Sequence, residues 1–98
     1  MLTAVRDFFF AKRMNTVLQR NGVFLKHFIP GRMRLLFPNW RDYEKRMWML
    51  IEEMKQDPDI HSIDFTKETG SALILFNPEA AAQPLALKRW LRVIEKYT

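Results

Sequence analysis

The stretch Ser71–Phe76 is apolar on both of its alternating faces, with Leu73 and Leu75 on one and Ala72, Ile74 and Phe76 on the other. That pattern fits a central strand covered on both sides. Gly70 before it and Asn77-Pro78 after it set its ends. A central strand needs neighbours, and 98 residues have room to supply them within one domain only. The chain begins with Met and carries no tag, so it is read as a complete small protein.

The first neighbour is residues 60–66, Ile-His-Ser-Ile-Asp-Phe-Thr, joined to the apolar run through Lys67-Glu68-Thr69-Gly70. Gly70 stands where a positive φ is expected. The second is residues 32–37, Arg-Met-Arg-Leu-Leu-Phe, with Met33, Leu35 and Phe37 on one face and Arg32, Arg34 and Leu36 on the other. Between these strands, residues 40–56 predict an amphipathic helix. Its stripe is Trp40, Tyr43, Met47, Leu50, Ile51 and Met54, with Trp48 at the edge and Met49 facing solvent. Asn39 is a plausible N-cap and Asp57-Pro58 ends the helix. A last helix over 84–97 opens on Pro84 and shows Leu87, Trp90, Leu91 and Ile94, with Tyr97 at the edge.

Residues 2–20 also read as an amphipathic helix. Phe8, Phe10, Ala11, Met14, Val17 and Leu18 lie on one side, with Asp7 intruding. Lys12, Arg13, Arg20, Arg6, Thr16 and Gln19 lie on the other, together with Phe9. Asn21-Gly22 is the stop signal.

The order is helix, strand, helix, strand, strand, helix. Its core is an α+β, ferredoxin-like split βαβ sandwich: an antiparallel sheet with two packing helices, an extra N-terminal amphipathic helix and no C-terminal fourth strand. The domain reading is 1–21 for that helix and 22–98 for the ferredoxin-like domain. The chain stops at Thr98, so the missing edge must be filled otherwise. Residues 23–29, rich in strand formers, could pair with 32–37 there. Against this, Pro30-Gly31 suits a type II turn, which matches a tight hairpin poorly. One long strand bent at Pro30 is the competing reading. Such a sheet leaves one face without helices. Ile74 and Phe76 are expected on that face, with the N-terminal helix, from its own chain or a dimer partner, as their cover.

Composition removes several function classes. There is no cysteine, so disulfides, thiolate metal sites, iron–sulfur clusters and a cysteine nucleophile are excluded. No phosphate loop, nucleophile elbow or zinc motif appears, and Glu52-Glu53 diverge on their helix, so no enzyme is expected. No run approaches the roughly 20 apolar residues of a membrane span, and Phe8-Phe9-Phe10 is too short for a signal peptide. The expected location is cytoplasmic, with peripheral association at the inner face of the membrane as an extension of that expectation.

The net charge of +5 is uneven. Residues 1–37 hold seven Lys or Arg against Asp7, residues 38–83 hold five basic against nine acidic residues, and residues 84–98 hold four basic against Glu95. A basic N-terminal third suits an anionic partner: an acidic protein patch, a lipid surface or nucleic acid.

The stretch His27-Phe28-Ile29-Pro30-Gly31-Arg32-Met33-Arg34-Leu35 resembles the opening of a cysteine-poor branch of heavy-metal-associated domains. Asp59 to Phe65 and Thr69 to Pro78 resemble the same family's second and third strands, so the likeness covers about residues 25–95. It implies a ferredoxin-like fold in bacterial metal homeostasis, beside P-type metal-transporting ATPases or iron-storage compartments. Metal-binding members place Cys-x-x-Cys after the first strand. Here that loop reads Phe37-Pro38-Asn39-Trp40-Arg41 and offers no soft ligand, so the resemblance carries the fold and not the metal site. Helix 2–20 lies outside the resemblance and reads as an addition.

The functional expectation is a non-enzymatic adaptor without cofactor or metal, docking on a metal transporter or compartment protein or on an anionic membrane surface. Its contacts are Phe8, Phe9, Phe10, Lys12, Arg13, Arg32 and Arg34. Homodimerisation through the N-terminal helix or an open sheet edge is a further expectation. One alternative is nucleic-acid binding on the basic sheet face. Another is a weak metal carrier using His27 and His61. In a plain structural reading, Arg32 and Arg34 pair with acids such as Asp64 across the sheet.

Overall fold

In a computed structural model, which describes residues 12–98, helix α1 occupies residues 12–20. It ends as the sequence predicts. Gly22, at φ 74°, takes the left-handed position. The Gly22 N–H then donates to Gln19 O and the Val23 N–H to Leu18 O, which closes a Schellman motif. Leu18 and Val23, the apolar pair of that motif, are fully buried.

The elements that follow are β1 (Phe24–Ile29), β2 (Arg32–Leu36), a 3₁₀ turn (Trp40–Tyr43), α2 (Glu44–Lys55), β3 (Ile60–Thr66), β4 (Ser71–Phe76), a second 3₁₀ turn (Pro78–Ala82) and α3 (Pro84–Tyr97). The sheet has the order β1-β2-β4-β3 with every neighbour antiparallel. β1 therefore fills the edge that a C-terminal strand would hold. The two-residue turn Pro30-Gly31 serves this hairpin because Gly31 adopts φ 88°, as a type II turn requires. A bulge at Lys26 takes up the register between Leu25 and His27. The long bent strand is not formed.

Register corrects two expectations about β4. Met33 pairs with Ile74 and Leu35 with Ala72, while Phe76 pairs with Ile60. Ile74 and Phe76 thus point into the helix layer and are buried. The ring of Phe76 lies 5.2 Å from that of Trp90 and 5.8 Å from that of Phe28. The face left without helices carries Leu73 and Leu75 instead, so β4 is covered on one side only. The described part of α1 does not cover that face. Met14 and Leu18 are fully buried in the one core cluster with Met33, Leu35 and Ile74. Asn15 Oδ1 accepts a hydrogen bond from Leu25 N, tying α1 to β1.

The helix after β2 also begins differently from its expectation. Asn39 makes no side-chain cap. Its carbonyl accepts from Asp42 N, and the chain enters α2 through the 3₁₀ turn. Trp40, Met47, Leu50, Ile51 and Met54 are buried as the periodicity predicts. Trp48 and Met49 are exposed.

Candidate functional site

The loop between β2 and α2 is closed by packing. Phe37 and Trp40 are buried, and Trp40 meets Phe65 edge-on at 5.1 Å. The Arg41 guanidinium lies 4.7 Å above the Trp40 ring. Phe37 N donates to Gly70 O at 2.8 Å. A Cβ at Gly70 would stand 2.8 Å from Phe37 O and 3.0 Å from Trp40, so glycine is needed for space as well as for its φ of 70°. The loop is thus closed by the side chains of Phe37 and Trp40 and by the backbone hydrogen bond between Phe37 and Gly70.

The opposite end is polar, and sequence reading missed it. Arg89, on α3, donates to Asp57 at 2.8 and 3.1 Å and to Asp59 at 2.6 Å. Asp57 Oδ1 also accepts from Asp59 N, and Asp59 O accepts from Asn77 N. Burial pushes Asp57 upward, but the hydrogen bonds from Arg89, the Asp59 N–H and the Trp90 indole outweigh it. The Asp57 carboxyl is held below the usual carboxylate range. The Asp57 hydrogen bond raises Arg89 in turn. The three residues close the α2–β3 turn against α3. More than 25 positions separate the base from its acids, so local pattern gave no signal.

Nearby, Glu53 accepts from Tyr97 Oη at 2.7 Å and from Lys96 Nζ at 3.0 Å. Both hydrogen bonds, the one from Tyr97 above all, hold its carboxyl low.

The open sheet face gathers several predicted site residues. Its rows run across the strands β1, β2, β4 and β3. One row is Phe24, Leu36, Ser71 and Thr66. The next is His27, Arg34, Leu73 and Asp64, and the last is Ile29, Arg32, Leu75 and Ser62. Arg32 and Arg34 are both exposed there. Arg34 and Asp64 share a shallow groove of about 330 Å³ with Thr66, Thr69, Ser71 and Leu73. No ion pair within 4 Å joins them among the described residues, so the expected cross-sheet pairing is not made. Phe24, Ile29 and Leu75 add exposed apolar surface. Phe24 is the one phenylalanine in these rows, because Phe28, Phe65 and Phe76 turn to the core side.

His27 and His61 do not meet. They sit on the two outer strands, about 14 Å apart across three strand spacings. His61 is moreover the extra residue of a bulge between Ile60 and Ser62. Among the described residues no group of three His, Cys, Asp or Glu could hold a metal ion. Lys12 and Arg13 are exposed on α1. Phe8, Phe9 and Phe10 lie outside the described residues. No helix of the described residues is long and apolar enough to cross a membrane.

The family model of heavy metal associated domain 2 matches residues 11–95. The match takes in all of α1 as described, which the resemblance read from the sequence had left out. No curated protein and no solved structure matches the chain.

Proposed function

The chain belongs to the heavy metal associated domain 2 family, and from that premise we propose that it is an accessory docking protein rather than a metal carrier. Membership points to a metal-related role. The observation that carries the docking reading is the loop where metal-binding members place their cysteines. Here it is filled by Phe37 and Trp40, closed over Gly70, with no thiolate available. A soft metal ion needs thiolate or thioether donors presented to it. The donor set of this loop does not fit one, and no step is routed through it.

What remains for function is surface. The protein docks on an acidic partner of a metal-handling system, such as a transporter or storage compartment protein. Its contacts are the basic, aromatic segment Phe8, Phe9, Phe10, Lys12 and Arg13 and the strand face around Arg32 and Arg34. The charge imbalance supports this: seven basic residues against one acid lie within residues 1–37. It acts in the cytoplasm without catalysis of its own.

The test must spare the fold. Deleting residues 1–20 would remove the buried Met14 and Leu18 and so unfold the core. The cleaner variant replaces Phe8, Phe9 and Phe10 by Ser and Lys12 and Arg13 by Glu. Affinity capture from native cells with the unmodified chain should enrich a metal-handling protein, and the variant should lose it. The purified chain, dialysed against Fe²⁺, Zn²⁺ and Cu²⁺, should retain no stoichiometric metal. Retention of one equivalent would sink the docking reading in favour of a carrier.

A further inference from the structure

We propose that the open sheet face is a self-association surface, on which a second copy of this chain pairs Arg34 with Asp64 in both directions. The argument begins with the row His27, Arg34, Leu73 and Asp64. Adjacent strands are about 4.8 Å apart, so Arg34 and Asp64 flank Leu73 symmetrically at roughly 10 Å from each other. Both are exposed, and neither has an opposite charge within 4 Å among the described residues. Two unpaired opposite charges equidistant from an apolar midline are self-complementary. A two-fold axis parallel to β4, lying over Leu73, sets Arg34 of each copy on Asp64 of the other.

The same axis stacks Leu73 on Leu73 and Leu75 on Leu75 and keeps the two sheets in aligned packing. Leu36 then meets Thr66 and Arg32 meets Ser62. An axis perpendicular to the strands would oppose Arg34 to itself and Asp64 to itself, so charge selects one orientation. An axis over β4 opposes β2, β4 and β3 and leaves β1 of each copy unmatched, so three strands by three rows, about 14 by 20 Å, cover roughly 300 Å² on each copy. The total falls below the 1,200–2,000 Å² of a standard stable interface, so the pair is weak and reversible, with the ion pairs setting its orientation. The segment Phe8 to Arg13 is not one of its contacts. The dimer shares Arg32 and Arg34 with the proposed docking face, so it competes with a partner there, whereas docking through that segment is independent of it.

Sedimentation of the purified full chain, alone, at low salt and concentrations of the order of 100 µM reads this directly. The unmodified chain is expected to show a monomer–dimer equilibrium. Arg34→Asp and Asp64→Arg, each alone, oppose like charges in both pairs and should weaken the dimer by at least about tenfold. Both positions are exposed, so both variants keep the fold. Mixing the two variants should recover association, because each then presents the charge that the other lacks. A monomeric unmodified chain would overturn the proposal and leave the face to a different partner. So would single variants that dimerise as before, or a mixture that does not associate.

Discussion

The two ends of the sheet are closed by opposite chemistry. At the β2–α2 end, Phe37, Trp40 and Phe65 pack over Gly70. At the α2–β3 end, Arg89 holds Asp57 and Asp59. Apolar burial is non-directional and independent of pH, whereas a charge cluster fixes geometry and titrates. The difference teaches that two kinds of force close one small sheet, apolar packing at one end and a charge cluster at the other.

The largest expected effect tests whether the apolar end is truly core. Trp40→Ala removes a ring that is 3% exposed and leaves a cavity beside Phe65. It should cost about 3–5 kcal/mol, with no dependence on pH from 5 to 8. Denaturant unfolding followed by circular dichroism measures it. A loss below about 1 kcal/mol would mean that the loop is a surface flap and that the comparison between ends fails.

Gly70→Ala should come next, at about 2–3 kcal/mol. It adds the strain of a left-handed residue to a Cβ placed 2.8 Å from Phe37 O. Gly22→Ala is its internal control. Gly22 has a similar φ, but nothing stands within 4 Å of its Cβ position, so it should cost only about 1–2 kcal/mol. Equal losses at the two sites would show that the close approach of Gly70 to the loop contributes nothing.

The closed loop was half legible in the sequence. The lack of any cysteine ruled out the thiolate site, and the stripe beginning at Trp40 placed that ring in the core. Element order was legible because Pro30-Gly31, Pro38-Asn39, Asp57-Pro58, Gly70 and Asn77-Pro78 punctuate the chain. The orientation of β4 was not, since a strand apolar on both faces looks the same either way up. Register settles it: Arg34 pairs with Leu73, which puts Leu73 on the charged, open side. The Arg89 cluster was illegible for a different reason. Its members come from a turn and a helix about 30 residues apart, and only the packed α2–α3 layer brings them together.

The smallest effect separates the two ends most sharply. Arg89→Met should cost about 1–2 kcal/mol at neutral pH, a modest figure because the Arg89 side chain is 39% exposed and screened by solvent. The cost has a pH signature. Burial alone would raise Asp57, but its hydrogen bonds win and its carboxyl lies below the ordinary value in the folded state. Such a group contributes stability that is fully present above its unfolded pKa of about 3.9 and is lost as pH falls through the lower folded value. The gap between the unmodified chain and Arg89→Met should therefore be constant from neutrality to about pH 5 and shrink steadily below about pH 4. The gap for Trp40→Ala should stay constant over the same range. Urea midpoints taken across that range distinguish the two. If the Arg89→Met gap does not close in acid, the α2–β3 end is held by the packing of the arginine's hydrocarbon stem, and the two ends are closed by the same force after all.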